Sequence, residues 1–168
     1  MQRVCHPPAV ACILSGRPNV GALLDLCEEN YVRLARLAPD LPERAGLYRS
    51  RGPDGVELHL EINEQARFTT LLRLTYVFPT PATTGAALDP DARLRVYHDS
   101  RQVEVLDLSQ TRLPLRRDYR PPALIDKWRA NLFIAKWLTY CLRQGHLFGA
   151  TPVARQDVES GERLSSCL

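Results

Sequence analysis

At 168 residues the chain fits one domain, and two full domains would be cramped. Hydrophobic residues make up 45% and charged residues 24%, enough for a core, yet no run of about 18 uninterrupted apolar residues exists, which excludes a membrane-spanning helix. The net charge of +3 is low for a nucleic-acid-binding surface and no reader motif accompanies it, so nucleic acid is not an expected partner.

Residues 1–17 read as a flexible N-terminal arm. Its apolar stretch from Ala9 to Leu14 is led by Pro7-Pro8 and followed closely by Arg17, which falls short of a secretory core of roughly 7–15 residues. A cytoplasmic location is expected. The cysteines (Cys5, Cys12, Cys27, Cys141, Cys167) form no C-x-x-C pair and are odd in number, the pattern of reduced thiols, and neither zinc nor another cofactor is expected. Of the 22 basic residues all but Lys127 and Lys136 are arginine. That bias suits bidentate recognition of phosphate or carboxylate, and it also follows from a GC-rich genome.

Asn19 after Pro18 is a candidate N-cap, and Leu23, Cys27, Tyr31, Leu34 and Leu37 recur at helical spacing until Pro39 and Pro42 stop the helix. The period then changes to two. Leu47–Arg51 reads as a strand, Gly52-Pro53-Asp54-Gly55 as a turn, and Val56–Ile62 as a half-buried strand. Asn63–Ala66 is expected to turn the chain into a long strand, Arg67–Phe78. Residues 79–91, rich in proline and threonine, read as a loop. Arg93–Asp99 and Gln102–Leu108 form a hairpin around Ser100-Arg101, and Leu113-Pro114-Leu115 is at best a short edge strand. Pro121-Pro122 opens a second helix reaching Gln144, with Gly145 at C′. Its stripe is Leu124, Trp128, Leu132, Ala135, Leu138 and Leu142, widened by Trp137 and Cys141. The fold expected is α+β: an antiparallel meander of about five strands with an N-terminal and a C-terminal amphipathic helix on one face. The domain is expected to cover residues 18–149, and 150–168 read as a disordered tail.

Four stretches in this order resemble the YqiB-like family of bacterial proteins of unknown function. They are Leu26–Tyr31 with Leu37-Ala38-Pro39; Phe68-Thr69-Thr70; Val96-Tyr97-His98-Asp99 with Glu104-Val105; and Asn131–Leu142 with Gly145-His146. The chain departs from the pattern at Asp126-Lys127, where the family usually has Glu-Lys, and in its longer tails. The resemblance implies little about activity. Dehydrogenase labels given to some members find no dinucleotide motif here. The family's genes often lie near those for a cyclic AMP phosphodiesterase and an ADP-ribose pyrophosphatase, which leans toward nucleotide signalling or turnover.

Several constellations compete for a role. His98 and Asp99 are adjacent on a strand and point to opposite faces, so they read as hairpin caps before they read as a catalytic pair. Glu57, His59 and Glu61 share a strand face, the ordinary pattern of a solvated sheet rather than a metal site. Arg73, Arg93, Arg95 and Tyr97 fall opposite the apolar rows, and Arg112, Arg116, Arg117 and Arg120 crowd together with Asp118 and Tyr119. If that stretch folds over the sheet, Arg73, Arg95, Tyr97, Arg112, Arg116, Arg117, Asp118 and Arg120 would hold an anionic, base-containing ligand. Arg51 and Asp54 are an alternative, resembling Arg/Asp pairs that bind guanine edges. The other reading of all these arginines is a solvated face. No nucleophile motif is present. The expectation is a non-enzymatic regulatory module responding to a cyclic nucleotide or cyclic dinucleotide through a protein partner such as a transcription regulator. The alternative is a small nucleotide-processing hydrolase or transferase with His98 and Asp99 in its site. The broad apolar girth of the second helix leaves room for a homodimer.

Overall fold

Asn19 caps the first helix, α1 (Val20–Leu37): its backbone is extended and its Oδ1 accepts from the Ala22 amide at 2.8 Å, satisfying one of the orphan amides of the first turn. The computed structural model describes residues 18–78, 87–109 and 124–153. The buried line of α1 is Ala22, Leu26, Asn30, Leu34 and Leu37, rotated from the predicted one. Leu23, Cys27 and Tyr31 sit half-buried on its flank. A polar residue, Asn30, occupies the middle of the buried face, and a pattern of apolar residues steps around it.

A short 3₁₀ turn (Leu41–Glu43) leads into β1 (Gly46–Arg51), followed by β2 (Glu57–Gln65), β3 (Thr69–Phe78), β4 (Ala87–Tyr97) and β5 (Gln102–Ser109). The sheet order is β1-β2-β3-β4-β5, with every neighbouring pair antiparallel. The expected meander is therefore present, with shifted joints. β2 runs through the predicted Asn63–Ala66 turn because a bulge between Ile62 and Glu64 absorbs the irregularity. The turn lies at Ala66–Phe68, closed by the Ala66 amide on the Thr69 carbonyl at 2.8 Å. The predicted 79–91 loop is too long, since β4 begins at Ala87 and includes Pro90 after a cis peptide bond. Pro90 has no amide for the ladder, and the β3–β4 register shifts there, between Thr75 and Val77. Leu113–Leu115 lies outside the described residues.

Alternation then sorts the sheet. Leu58, Leu60, Leu72, Leu74, Leu94, Val96 and Val103 are fully buried and form one core cluster with Leu34 and Leu37 of α1 and Ile134 and Leu138 of the second helix, α2 (Leu124–Arg143). Both helices thus cover the same face, as expected. The buried residues of α2 are Asn131, Ile134, Ala135, Trp137, Leu138 and Cys141. Leu124, Trp128, Leu132 and Leu142 of the predicted stripe are half-buried flanks. Much of the helix's apolar girth is used inside the chain, because α2 packs on α1 and also sends Trp137 against Tyr76 of β3, with ring centroids 5.9 Å apart.

Gly145, at φ 79°, ends α2 in a Schellman motif: the His146 amide bonds the Cys141 carbonyl and the Gly145 amide that of Leu142, both at 3.1 Å. The chain then stays ordered beyond the predicted limit at 149. The Phe148 amide bonds the Leu37 carbonyl and the Val153 amide the Leu47 carbonyl. Arg44, only 6% exposed, donates to the carbonyls of Pro39, Phe148 and Gly149 at 2.7, 3.0 and 2.6 Å. Ser50 receives the Leu147 amide and contacts His146 Nδ1 at 3.0 Å. Hydrophobic pattern does not reveal this segment, since one buried Phe and a set of carbonyls hold it.

Arg44→Met keeps the apolar stem but strips the donors from three carbonyls. Charged hydrogen bonds are each worth about 1.5–3 kcal/mol. Only the one to Phe148 is fully buried and water can replace the other two, so the expected loss of stability is about 2–3 kcal/mol in urea unfolding, with faster hydrogen exchange at Phe148. An unchanged midpoint would show that water replaces the guanidinium at no cost.

Candidate functional site

The face turned away from the helices is laid out by the strand register. One row runs Glu64–Leu71–Arg95–Glu104 across β2, β3, β4 and β5, and beside it Thr69 faces Tyr97, which faces Gln102. Neighbouring strands stand about 4.8 Å apart, so these side chains border one area. There the surface dips into a hollow of about 320 Å³ lined by Glu64, Thr69, Leu71, Arg95 and Tyr97.

Each lining residue has a distinct physical state. Leu71 is half-buried and out of phase with the core row of Leu72, Leu74 and Tyr76, so it gives a charged face an apolar floor. Arg95 is exposed. The Tyr97 hydroxyl, as its hydrogen-bond partner, favours the charged guanidinium and pushes its pKa further up. The same hydroxyl donates to Glu104 Oε2 at 2.9 Å, and Lys127 Nζ stands 3.8 Å from Glu104 Oε1. Glu104 is thereby engaged and acts on Arg95 only through space, and Arg95 has no ion pair among the described residues. A guanidinium has five donors in a planar fork, most of which are unpaired among the described residues.

The other expected residues divide. Arg73 shares this face but is committed: its Nε and Nη2 both reach Asp91 at 2.7 Å. That hydrogen bond raises its pKa. The cause lies in the register, because Arg73 stands directly opposite Arg93, and turning to Asp91 relieves the like-charge pair. Arg51 is exposed at the end of β1, and Asp54 Oδ1 caps the Val56 amide at 3.1 Å within the Gly52–Gly55 turn. They therefore build a hairpin and do not join the hollow. Arg112, Arg116, Arg117, Asp118 and Arg120 lie outside the described residues. Glu64, Thr69 and Leu71 were not anticipated. Leu71, an apolar residue in a polar phase, was the legible signal, whereas the bulge that brings Glu64 onto this face is not written in the alternation.

On the other side, His98 and Asp99 do not converge. Asp99 Oδ1 caps the Ser100 amide at 2.8 Å. His98 Nε2 meets Thr70 Oγ1 at 2.7 Å, and Thr70 passes its own proton to Gln65 Oε1 at 2.9 Å. That order makes His98 Nε2 the donor and leaves Nδ1 bare, an assignment from the hydrogen-bond network. Nδ1 is buried without a partner among the described residues, and the ring packs edge-on against Tyr31. A second concavity of about 210 Å³ lies nearby between α1 and the 3₁₀ turn, lined mainly by Leu34, Ala35, Ala38, Leu41 and Val96. Tyr31 and Asp40 add polar groups to its rim, and no base among the described residues converges with Asp40 there. Glu57 and His59 form a pair at 3.0 Å that lowers the Glu57 pKa. No group of three or more residues suited to a metal ion is present among the described residues. Burial pushes the thiols of Cys27 and Cys141 up to about 11, away from the reactive range. No helix among the described residues is long and apolar enough to cross a membrane.

Residues 33–147 match the family described as "Protein of unknown function (DUF1249)". The chain is 34% identical over 142 residues to "Uncharacterized protein YqiB" of Escherichia coli strain K12, covering 81% of this chain and 96% of that protein. The O157:H7 strain carries a relative with the same identity and coverage. No solved structure matches.

Burial lowers the pKa of both His98 and His146 below the ordinary 6.5. The folded state therefore binds fewer protons than the unfolded one at and below that pH, so stability falls as pH drops through 6.5 toward the folded-state values. The thermal midpoint is expected to drop between pH 7.5 and 5.5, and His98→Asn should flatten part of that slope. A midpoint independent of pH across this range would contradict the assignment. Arg73→Ala, removing a half-exposed pair, is expected to cost about 1 kcal/mol or less in urea unfolding.

Proposed function

The chain belongs to this family of unknown function, which brings no activity with it, and we propose that it is a non-enzymatic regulatory module that binds a small anionic nucleotide in the open-face hollow. Arg95 carries the reading: an exposed arginine, set on a strand between an apolar floor and a fixed tyrosine, with its carboxylate neighbour occupied elsewhere. A phosphate accepts the planar fork bidentately. A base has a π-face for the Tyr97 ring and an apolar surface for Leu71, contacts that tolerate many bases. Arg73 serves as scaffold and not as a ligand contact, since Asp91 holds its fork.

The geometry of His98 and Asp99 favours binding over hydrolysis or transfer. A general base of that kind needs a basic nitrogen that substrate can reach, whereas His98 spends Nε2 on Thr70, its Nδ1 is buried, and Asp99 caps a backbone amide. The bound ligand would act through a protein partner such as a transcription regulator.

A thermal-shift series with cyclic AMP, cyclic dinucleotides, ADP and GDP tests the proposal. At about a hundred times Kd, linkage gives about 2.7 kcal/mol, a rise of roughly 5–10 °C for a chain of this size. Arg95→Ala/Tyr97→Ala is expected to abolish the rise and Arg73→Ala to leave it. No shift with any nucleotide returns Arg95 to the role of a solvated surface charge.

A further inference from the structure

The hollow has a second charged wall, and its sign is opposite to that of Arg95. Glu64 stands in the same row, separated from Arg95 by Leu71, so two strand spacings, roughly 10 Å, divide carboxylate from guanidinium. Glu64 is exposed and makes no ion pair among the described residues. A carboxylate there repels a phosphate and rejects a ligand that is anionic along its whole length. It fits one that is anionic at one end and a hydrogen-bond donor at the other.

Resting on the nucleotide-binding reading above, we infer that the hollow is selective for guanine nucleotides, with Glu64 as the residue that reads the base. Among the common bases guanine alone presents two parallel donors on one edge, the N1 imide and the N2 amino group, which match the two oxygens of an ionised carboxylate. Adenine and cytosine offer one amino group next to a bare ring nitrogen, whose lone pair faces the second carboxylate oxygen and is repelled. Uracil offers a single imide between two carbonyls. The base lies over Leu71, its donor edge meets Glu64, and the phosphate at the far end of the sugar reaches Arg95. The Tyr97 ring closes the side toward Thr69, held upright by its bond to Glu104. The bulge between Ile62 and Glu64 has a use in this arrangement: it moves Glu64 into register with Leu71, on the open face.

The test is titration calorimetry of the full chain with GDP, ADP and inorganic phosphate, on the wild type, Glu64→Gln and Arg95→Ala. Glu64 is exposed, so its substitution leaves the core untouched, and circular dichroism checks the fold. A bidentate base contact discriminates by about fivefold to a hundredfold; at an open hollow the lower end applies, and GDP is expected to bind about tenfold tighter than ADP. Glu64→Gln offers one acceptor and one donor, so it should erase that preference while ADP binding stays the same or tightens. Arg95→Ala should weaken both nucleotides alike. Equal binding of GDP and ADP by the wild type, or a preference that survives Glu64→Gln, overturns the guanine inference and leaves the nucleotide site standing. If neither nucleotide binds, the nucleotide reading itself fails, and the guanine inference with it.

Discussion

The contact between the two helices, keyed by Asn30 and Asn131, fixes how they lie side by side over the leucine rows of the sheet, and so leaves the other face to side-chain chemistry. Asn30 Nδ2 donates to the Asn131 carbonyl at 3.0 Å, and Asn131 Nδ2 donates to the Lys127 carbonyl at 2.9 Å. Cys27 Sγ approaches Asn131 Oδ1 at 3.7 Å. Buried amides are costly unless paired, so the helices have one favourable registration rather than a continuum of sliding ones. Asn30 Oδ1 finds no partner among the described residues, a desolvation cost that offsets part of what the pairing contributes. With α1 and α2 locked side by side over one face, no helix among the described residues reaches the other.

A half-covered sheet has to solve the problem of its open side in side-chain chemistry. Charges opposite one another must alternate in sign or find other partners, and the structure does both. Arg73, facing Arg93, turns to Asp91, and Glu57 is held by His59. The edge of β1 would template further pairing if left bare. It is blunted by the returning C-terminal segment, which Arg44, Ser50 and the Leu47 carbonyl hold in place.

The parts legible in the sequence are those governed by a single period. Asn19 as cap, Gly145 as terminator, the five-strand order and the segregation of Arg73, Arg95 and Tyr97 from the leucine rows all followed from spacing. What escaped was set by local exceptions to it. The bulge after Ile62 lengthened β2 and displaced a turn, and the register shift at Pro90 let a strand run through a segment composed like a loop. The buried asparagine of α1 rotated its inner face away from the line that apolar residues alone trace. At the site, Arg73 and Arg95 look equivalent in the sequence, each an arginine in the polar phase. Their difference arises across strands, from Asp91 beside one and from Tyr97 and Glu104 beside the other.

That last difference carries the functional argument. Glu104 stands directly opposite Arg95, the position from which a carboxylate ordinarily neutralises a cross-strand arginine. Its stronger engagement is with the Tyr97 hydroxyl at 2.9 Å, while Lys127 at 3.8 Å, with both side chains well exposed, adds a weak pull around the sheet edge toward α2. Tyr97 thus has two physical jobs at once: its hydroxyl holds the competing anion, and its ring walls the space that this frees. Among the described residues Arg95 keeps open donors beside an apolar floor, which packing does not require, since the side chain is exposed, and which the ion-pair pattern would close more simply with Glu104. On the binding reading proposed above, the fork is kept for an anion from outside the chain.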